Sequence, residues 1–515
     1  SLNGLGVVLE RLGRHEEAAS CYREAVRIDP CYQDAQINLA LLLKNHGRLS
    51  DAERQLEEAL RVQPGVVRLR YNLANVLQFQ GRSLEAIAAY REVLRLDPEH
   101  LDAQQNLIFA LHYSPQFTDR QIFDGHLAAA GQRALRPGAA LPCRASEPAS
   151  GRRIRIGYLS PDFRSHAVAS FIEPILSHHD KSRFEVHCYA NLARPDGTTE
   201  RLMGLAEGWR DICQVGDEEA ARLIAADGID ILVDLAGHTS GNRLPLMALK
   251  PAPLQATWIG YPDTTGLPEM DFRITDRLAD PPGTTEQFHS EQLVRLPRSF
   301  CCYLPPESSP AVEALPLLAA GRVTFGSFNN LAKVTPEVIT LWARVLLAVP
   351  DSRLLMRCSP LADPEVCARI LERFRGEGVA AERIELQPGN ASPAEHLAQY
   401  GRVDIALDTF PYNGTTTSCE ALWMGVPVVT LSGTRHAART GVSILTNCGM
   451  ASLIAQTTGQ YVVMACELAR DAGKLQQLRA GLRERMRLSP LMDGAGVTRE
   501  LEAAYVGMLE RGEKR

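Results

Sequence analysis

The sequence predicts an α + α/β fold, in which an N-terminal superhelix of helical repeats precedes two domains built on parallel β-sheets. A 34-residue pattern recurs through the first fifth of the chain. From about residue 153, short β-rich runs alternate with helical stretches, which is typical of a parallel sheet covered on both faces. The segment 303–321 divides these strands into two sets. We therefore expect two Rossmann-like domains after a helical arm.

The repeats are defined by small residues and prolines that recur 34 positions apart. The three series are Gly13, Gly47 and Gly81; Ala18, Ala52 and Ala86; and Pro30, Pro64 and Pro98. A 34-residue helix–turn–helix unit of this composition is the tetratricopeptide (TPR) pattern. Small residues let the paired helices approach closely, and proline ends the second helix because it has no N–H. Stacked repeats form a concave face that binds extended peptide; a purely structural solenoid is the alternative.

A ladder of asparagines follows the same period. Asn38, Asn72 and Asn106 recur in the first helix of successive units. Side-chain amides at a fixed spacing can pair with the backbone of an extended peptide without reading its sequence. The alternative is that these asparagines stabilise the turns between repeats.

Segments rich in proline and glycine, together with changes in periodicity, indicate where the domains begin and end. We predict TPR repeats over 1–113, a helical linker over 114–150, a first Rossmann-like domain over 151–305, an inter-domain segment over 306–320, a second Rossmann-like domain over 321–487, and a C-terminal helix over 488–515. Ser1 falls inside the first helix of a repeat, so further repeats or a removed leader upstream stay open.

Charge and cysteine usage exclude several classes of protein. The net charge of −6 over 515 residues is mild and does not indicate a basic surface for binding nucleic acid or a membrane. The 12 cysteines are scattered and form no CxxC pair, which argues against a disulfide framework or a zinc cluster. We expect a cytoplasmic protein, because a reducing compartment fits scattered cysteines and no long apolar run or leader is present.

The strongest local motif is DTFPYNGTTTSCEALWMGVPVV, residues 408–429. After a strand, Thr415, Thr416 and Thr417 open a helix, and hydroxyls with backbone amides at a helix N-terminus suit a diphosphate. Glu420 lies one turn further, where it can accept hydrogen bonds from ribose hydroxyls. The alternative is an ordinary helix with threonine as its N-cap. The motif resembles the nucleotide-sugar half-site of glycosyltransferases of the GT-B class, and no ATP-type P-loop accompanies it.

A second motif, FGSFNNLAKVTP over 325–336, places Lys333 between a strand and a helix capped by Thr335. A lysine at the carboxyl end of a strand can neutralise the charge of a leaving diphosphate, as a metal does elsewhere. No convincing DxD pair occurs, so we expect a reaction that uses no metal. A surface lysine is the alternative.

Two further loops follow strands of the first domain. In GYLSPDFRSHAVASFIEP, Asp162 and His166 could manage a proton, since histidine titrates near neutral pH and a carboxylate can orient it; a capping aspartate and a structural histidine are the alternative. In TWIGYPDTTGLPEMDFRITD, Gly260 and Gly266 flank a polar turn that could wall a sugar pocket. This second loop could equally be a connection with no role.

Together the repeats and the motifs resemble the O-GlcNAc transferases in a bacterial form. The resemblance rests on GYLSPDF…H, PAPLQATWIGYPDTTG, FGSFNNLAK and DTFPYNGTTTSCEALWMG, in the family's order. It implies a GT-B fold and an inverting, metal-independent transfer of GlcNAc from UDP-GlcNAc to Ser or Thr hydroxyls of proteins, with no cofactor.

The resemblance also implies residue roles. Lys333 matches the lysine that stabilises the leaving phosphate, while His166 and Asp162 match residues proposed for proton handling; whether one of them or the donor phosphate is the base stays open. The other matches are all to donor-binding residues: Thr416 and Thr417 to diphosphate ligands, Glu420 to a ribose ligand, His396 and Ala391 to base contacts, Asn330 to a nucleotide contact, and Ile259 and Gly260 to the donor pocket.

Several positions depart from the animal members of that family. Thr415 replaces a histidine, Pro393 a lysine and Gln399 an arginine, while Ala167 and Val168 stand where those members have Pro-Thr. Loss of a cation near the diphosphate reshapes that contact. Three alternatives follow: another donor such as the GDP-fucose of plant protein O-fucosyltransferases, a nucleotide-sugar epimerase, and a TPR scaffold whose catalytic half has lapsed.

Overall fold

The computed structural model describes residues 1–133, 152–389 and 392–512, and these form two compact units. The first unit contains 1–117, 315–412 and 458–475; the second contains 118–314, 413–457 and 476–515. The predicted domain boundaries remain predictions, because these units are assembled from separate stretches of the chain.

The repeat array opens the first unit as seven antiparallel helices. They are α1 (Leu2–Arg11), α2 (His15–Ile28), α3 (Gln33–Asn45), α4 (Leu49–Val62), α5 (Val67–Phe79), α6 (Ser83–Leu96) and α7 (Leu101–Leu111). The repeated alanines Ala18, Ala52 and Ala86 have no solvent exposure, which is why larger residues do not occur there. The predicted TPR helices are therefore confirmed.

The rest of the first unit is a parallel sheet with helices. Its elements are α13 (Pro316–Ala320), β8 (Thr324–Ser327), α14 (Pro336–Ala348), β9 (Arg353–Arg357), α15 (Pro364–Gly376), β10 (Ile384–Gln387), α16 (Pro393–Ala398), β11 (Ile405–Leu407) and α19 (Thr458–Arg470). The strands run in the order β10-β9-β8-β11. The order reverses between β8 and β11, and ligands of such sheets bind at that reversal, beyond the carboxyl ends of the strands.

The second unit is built on a seven-stranded parallel sheet. Its elements up to residue 314 are α8 (Asp119–Arg133), β1 (Ile154–Ser160), α9 (Ala169–Leu176), β2 (Phe184–Ala190), α10 (Gly197–Met203), β3 (Gly208–Asp211), α11 (Asp217–Ala226), β4 (Ile231–Asp234), α12 (Leu244–Ala248), β5 (Leu254–Thr257), β6 (Phe272–Asp276) and β7 (Gln292–Leu296). The strand order is β3-β2-β1-β4-β5-β6-β7, with its reversal between β1 and β4. Two parallel sheets with helical connections confirm the predicted pair of Rossmann-like domains.

The second unit also holds α17 (Thr416–Trp423), β12 (Val428–Leu431), α18 (Thr440–Asn447), β13 (Ile454–Ala455), most of α20 (Ala472–Arg487) and α21 (Gly494–Gly512). Helix α21 packs on the seven-stranded sheet through fully buried Val497, Leu501, Tyr505 and Met508. Their spacing of three to four residues is that of a single helix face. Among the described residues, no helix combines the length and apolarity that a membrane span requires.

Within the first unit the repeat array contacts α15 directly. Ser50 of α4 donates its backbone N–H (2.8 Å) and its hydroxyl (2.9 Å) to the carboxylate of Asp363. The same carboxylate caps α15 by accepting from the amides of Glu365 and Val366. One buried aspartate thus joins a helix terminus to the array.

Candidate active site

Lys333 ends a short 3₁₀ turn, Leu331–Lys333, which follows β8. The side chain of Asn330 caps the turn by accepting from the amide of Ala332 at 3.0 Å. Directly afterwards Thr335 caps α14, which has Pro336 at its first position, as the sequence predicted. The lysine is therefore held between two capped elements at the strand-order reversal of its sheet. The nucleotide contact predicted for Asn330 stays a prediction, since its side chain here has a structural partner.

The ammonium of Lys333 lies over the ring of Tyr412, 4.1 Å from the ring centroid. Tyr412 and Asp408 follow β11, which pairs directly with β8, so the two loops meet at one edge of the sheet. Burial lowers the pKa of Lys333 to about 8, and the charge of Asp408 acts in the opposite direction. The side chain is half-buried and its ammonium contacts a ring, which an exposed surface lysine would not do.

A group of rings lies further along the same edge. His396 of α16 lies 5.7 Å from Phe328 and 5.9 Å from Tyr400, between ring centroids. Nη1 of Arg357, at the end of β9, donates to Nδ1 of His396 at 2.8 Å. Because arginine only donates, Nδ1 is the acceptor and Nε2 carries the proton. This fixes the ring as a hydrogen-bond donor beside apolar faces, an arrangement that suits a nucleobase. Ala391 lies outside the described residues.

Asp162 and His166 lie in the second unit, in the loop between β1 and α9, at the reversal of the seven-stranded sheet. Oδ1 of Asp162 is 3.5 Å from Nδ1 of His166, and Nδ1 accepts a hydrogen bond from the amide of Val168 at 3.3 Å. Burial raises the pKa of Asp162 and lowers the pKa of His166. Both groups therefore favour their neutral forms more than exposed side chains would.

The loop after β5 contains Ile259 and Gly260. Ile259 has a φ of +63°, which is strained for a β-branched residue, and the amide of Gly260 donates to the carbonyl of Trp258 at 2.8 Å. A side chain at Gly260 would overlap the carbonyl oxygen of Leu235. Helix α8 fixes the loop, because Tyr261 donates from its hydroxyl to Nε2 of buried His126 at 2.9 Å. The loop is a tight, pre-formed surface, as a pocket wall requires.

Helix α17 begins within the run of three threonines. Thr415 occupies the N-cap position, yet its side chain makes no capping hydrogen bond. Thr415, Thr416, Thr417 and Glu420 are all half-buried. The alternative of an ordinary threonine-capped helix is therefore not what the structure contains, and the N-terminus retains the features of an anion site.

The asparagine ladder has partners within the repeats. Nδ2 of Asn38 donates to Oδ1 of Asn3 at 3.0 Å, and Nδ2 of Asn106 donates to the hydroxyl of Tyr71 at 3.1 Å, each one repeat earlier. Nδ2 of Asn72 donates to the carbonyl of Arg68 in its own helix at 2.8 Å. The amides thus contribute to packing of the array, which is the structural alternative to peptide binding, and peptide binding by them stays a prediction.

Five residues of the groups around Lys333 and His396 were not predicted from the sequence: Asp408, Tyr412, Arg357, Phe328 and Tyr400. Tyr412 lies in the loop of the DTFPYNG motif, directly before Asn413, so the motif could have identified it as a candidate site residue. Arg357 follows the apolar run LLM at the carboxyl end of β9, and a charged residue at that end of a parallel strand is a candidate for ligand binding. The two rings of Phe328 and Tyr400 are ordinary core residues by pattern alone.

Comparison with known proteins supports the resemblance. The model of the family described as glycosyl transferase family 41 matches residues 139–303 and 314–501, and tetratricopeptide models match 1–30 and 37–107. A barley protein named probable UDP-N-acetylglucosamine–peptide N-acetylglucosaminyltransferase SPINDLY is 45% identical over 79% of this chain. The Arabidopsis thaliana protein of the same enzyme name, SEC, is 32% identical over 69% of the chain. The chain spans 43% of the barley protein's length and 37% of the Arabidopsis protein's.

A solved structure of a mutant O-GlcNAc transferase from Thermobaculum terrenum superposes with a TM-score of 0.90 at 37% identity, covering 99% of this chain and 97% of that one. Its agreement extends over the repeats and both sheets, so the predicted GT-B architecture with an N-terminal TPR array is confirmed. The match to the family model covers more than half of the residues. By fold, by motif order and by sequence, this chain belongs to glycosyl transferase family 41.

Proposed function

We propose that this protein is an inverting, metal-independent glycosyltransferase that moves GlcNAc from UDP-GlcNAc to Ser or Thr hydroxyls of proteins. The observation that carries the proposal is Lys333, a cation at the strand-order reversal beside Asp408 and Tyr412. The barley and Arabidopsis relatives are named as probable UDP-N-acetylglucosamine–peptide N-acetylglucosaminyltransferases, and the Thermobaculum relative is named as an O-GlcNAc transferase.

The reaction balances without a cofactor. The acceptor oxygen forms a bond to C1 of the sugar on the face opposite the diphosphate, and the bond between C1 and the β-phosphate oxygen breaks. The electron pair stays on UDP, where the Lys333 ammonium offsets the added charge. The hydroxyl proton passes to a base, for which Asp162, His166 and the donor phosphate are the candidates. With Nδ1 of His166 accepting from Val168, the neutral ring carries its proton on Nε2. Nε2 can therefore donate a hydrogen bond, and only Nδ1 has the lone pair that could take the hydroxyl proton.

The nucleotide ends have separate proposed sites. His396, oriented by Arg357, would donate from Nε2 to a carbonyl of uracil, with Phe328 and Tyr400 beside it. Thr416 and Thr417 would bind the diphosphate at the N-terminus of α17, and Glu420 the ribose hydroxyls. Ile259 and Gly260 would wall the sugar pocket.

The TPR array would bind the protein acceptor, with Asn38, Asn72 and Asn106 along it. The eleven described cysteines are all free, which fits the proposed cytoplasmic location.

The test follows sugar incorporation into protein by mass spectrometry. The purified chain is incubated with UDP-GlcNAc, UDP-glucose or GDP-fucose and a host-cell lysate. We expect transfer from UDP-GlcNAc, and loss of at least about 10²-fold in Lys333→Ala because the leaving-group charge is no longer offset.

Lys44→Ala is the matched control. Lys44 is also half-buried, has its pKa lowered by burial, and lies over an aromatic ring, Phe79, but belongs to α3. Equal loss in both variants would mean that the effect is structural. Transfer from GDP-fucose instead would replace the donor in the proposal, conversion of the donor without acceptor would indicate an epimerase, and no transfer from any donor would contradict the activity.

A further inference from the structure

The third repeat lies directly against the turn that carries Lys333. Gly81, between α5 and α6, has a φ of +76°, and a Cβ placed on it would lie 3.0 Å from both Cγ and the carbonyl oxygen of Leu331. Leu331 is the first residue of the 3₁₀ turn that Lys333 ends. A side chain here would force Leu331 or the array to move by a few tenths of an ångström, in addition to the strain of the positive φ.

A hydrogen bond reinforces this approach. The buried hydroxyl of Ser83, at the start of α6, donates to the carbonyl oxygen of Ala332 at 3.3 Å. Ala332 immediately precedes Lys333 in the chain. Both residues before the lysine are therefore in contact with the same turn of the repeat array.

The end of the array also contacts the ring below the ammonium. The Tyr412 ring lies 5.4 Å from buried Tyr113 and 6.2 Å from Phe109, between centroids. Phe109 is in α7 and Tyr113 follows it, and the two rings lie 5.5 Å apart in an edge arrangement. Such aromatic groups favour one geometry over others, so Tyr412 is fixed by the array rather than by its own loop alone.

We propose that the repeat array positions Lys333 for the transfer, with Gly81 and Ser83 fixing its backbone and the Phe109–Tyr113 pair fixing the ring that its ammonium contacts. This inference rests on the proposed function, since it assigns to the array a second role beside acceptor binding. A lysine side chain has four rotatable bonds, and displacement of a reacting group by about 1 Å costs on the order of 10²-fold in rate. An array that fixes the turn therefore affects the transfer itself, even for an acceptor that does not touch the repeats.

The three repeat glycines provide a matched test. Gly13, Gly47 and Gly81 have φ values of +75°, +75° and +76°, so alanine introduces the same backbone strain at each. They differ in what the new methyl group meets: nothing within 4 Å at Gly13, the Cβ of Ala362 at Gly47, and Leu331 at Gly81. Gly13→Ala thus controls for strain, and Gly47→Ala controls for general loosening of the array.

Two readouts are taken on the full chain: kcat for protein glycosylation, and the pKa of Lys333 from competitive acetylation followed by mass spectrometry. We expect Gly81→Ala to lower kcat by about 10-fold relative to Gly13→Ala, because Leu331 has to move by a few tenths of an ångström. Because the displaced turn admits water, the labelling pKa of Lys333 should rise from about 8 toward its ordinary value in Gly81→Ala, and stay near 8 in the two controls.

Ser83→Ala is the second variant in case Gly81→Ala does not fold, with Ser50→Ala as its control. Both serines are buried and lie at the start of the second helix of a repeat. Ser83 donates to the carbonyl of Ala332, next to Lys333, whereas Ser50 donates to the carboxylate of Asp363. Ser83→Ala should shift the lysine's labelling pKa in the same direction, and Ser50→Ala should not.

The outcomes separate the two proposals. If Lys333→Ala abolishes transfer while Gly81→Ala and Ser83→Ala match their controls in both readouts, the positioning role is wrong and the proposed function stands. If Gly47→Ala changes kcat and the labelling pKa as much as Gly81→Ala does, the effect comes from general loosening of the array. That result would also overturn the inference. If the wild type transfers no sugar, the proposed function fails, and the labelling pKa still decides whether the array positions the lysine.

Discussion

Lys333 has a charge that depends on pH within the physiological range. Burial lowers its pKa to about 8, so the ammonium is mostly protonated at pH 7 and loses its proton as the pH rises through about 8. Since the charged form offsets the leaving group, we expect kcat/KM to fall above pH 8, whereas an ordinary lysine would keep activity to beyond about pH 10. The measurement is kcat/KM between about pH 6.5 and 9.5.

Lys333→Arg is the control for that profile. A guanidinium stays protonated throughout, so the variant should keep some activity and lose the decline at alkaline pH. A decline that persists in Lys333→Arg would assign it to another titrating group, and would contradict the role of the Lys333 ammonium in the profile.

The sequence predicted the residue types of the candidate site but not their contacts. Lys333 was recognisable because it follows a strand and precedes a capped helix. The ring beneath it comes from a loop 79 residues later in the chain, and the guanidinium that orients His396 comes from another strand. Such pairs are set by strand order, which a single sequence does not specify. The tautomer of His396 depends wholly on that packing.

Helix α21 shows how an element remote from the motifs supports one of them. Its buried face covers the sheet whose first strand, β1, leads to Asp162 and His166, and Tyr505 and Tyr158 are joined through their hydroxyls at 3.0 Å. Leu501→Ala should destabilise the protein by about 2–5 kcal/mol, because a buried leucine is replaced by a cavity. The melting temperature of Leu501→Ala is compared with that of Glu510→Ala, an exposed change on the same helix. Equal melting temperatures would contradict the packing described.

Most strands are predictable from the sequence, and the ones that are not share a location. The runs that form β1, β2 and β4 to β12 carry an apolar signal, whereas GWRD (β3) and the two-residue β13 do not. β3 and β13 each lie at an edge of their sheet. Edge strands pair on one side only and tolerate charged residues, so they lack the continuous apolar signal of central strands.

At the scale of the whole molecule, Asp363 is one of the groups that attach the repeat array to α15. Asp363→Ala removes both hydrogen bonds from Ser50 and the cap of α15. It leaves the exposed Arg54–Glu365 ion pair, which contributes little, and the hydrogen bond from Arg369 to Gln80. We expect faster amide hydrogen exchange in residues 33–62 and 364–376. The measurement is hydrogen exchange read by mass spectrometry.

Ser392→Ala is the matched control for that experiment, since it removes the cap of α16, a helix of the same unit. Exchange in residues 33–62 should be unchanged in this variant. If Asp363→Ala also leaves those residues unchanged, the array is held by other contacts.

The three repeat glycines have one further consequence, which concerns the interchangeability of repeats. Gly13, Gly47 and Gly81 occupy equivalent positions with nearly equal φ values, yet a Cβ would meet nothing within 4 Å at Gly13, the Cβ of Ala362 at 2.8 Å at Gly47, and Leu331 at 3.0 Å at Gly81. A replacement repeat with a side chain at this position would therefore be tolerated as the first unit and resisted as the second or third. Natural variation in repeat number is best accommodated at the N-terminal end of the array, where this turn has no close neighbour.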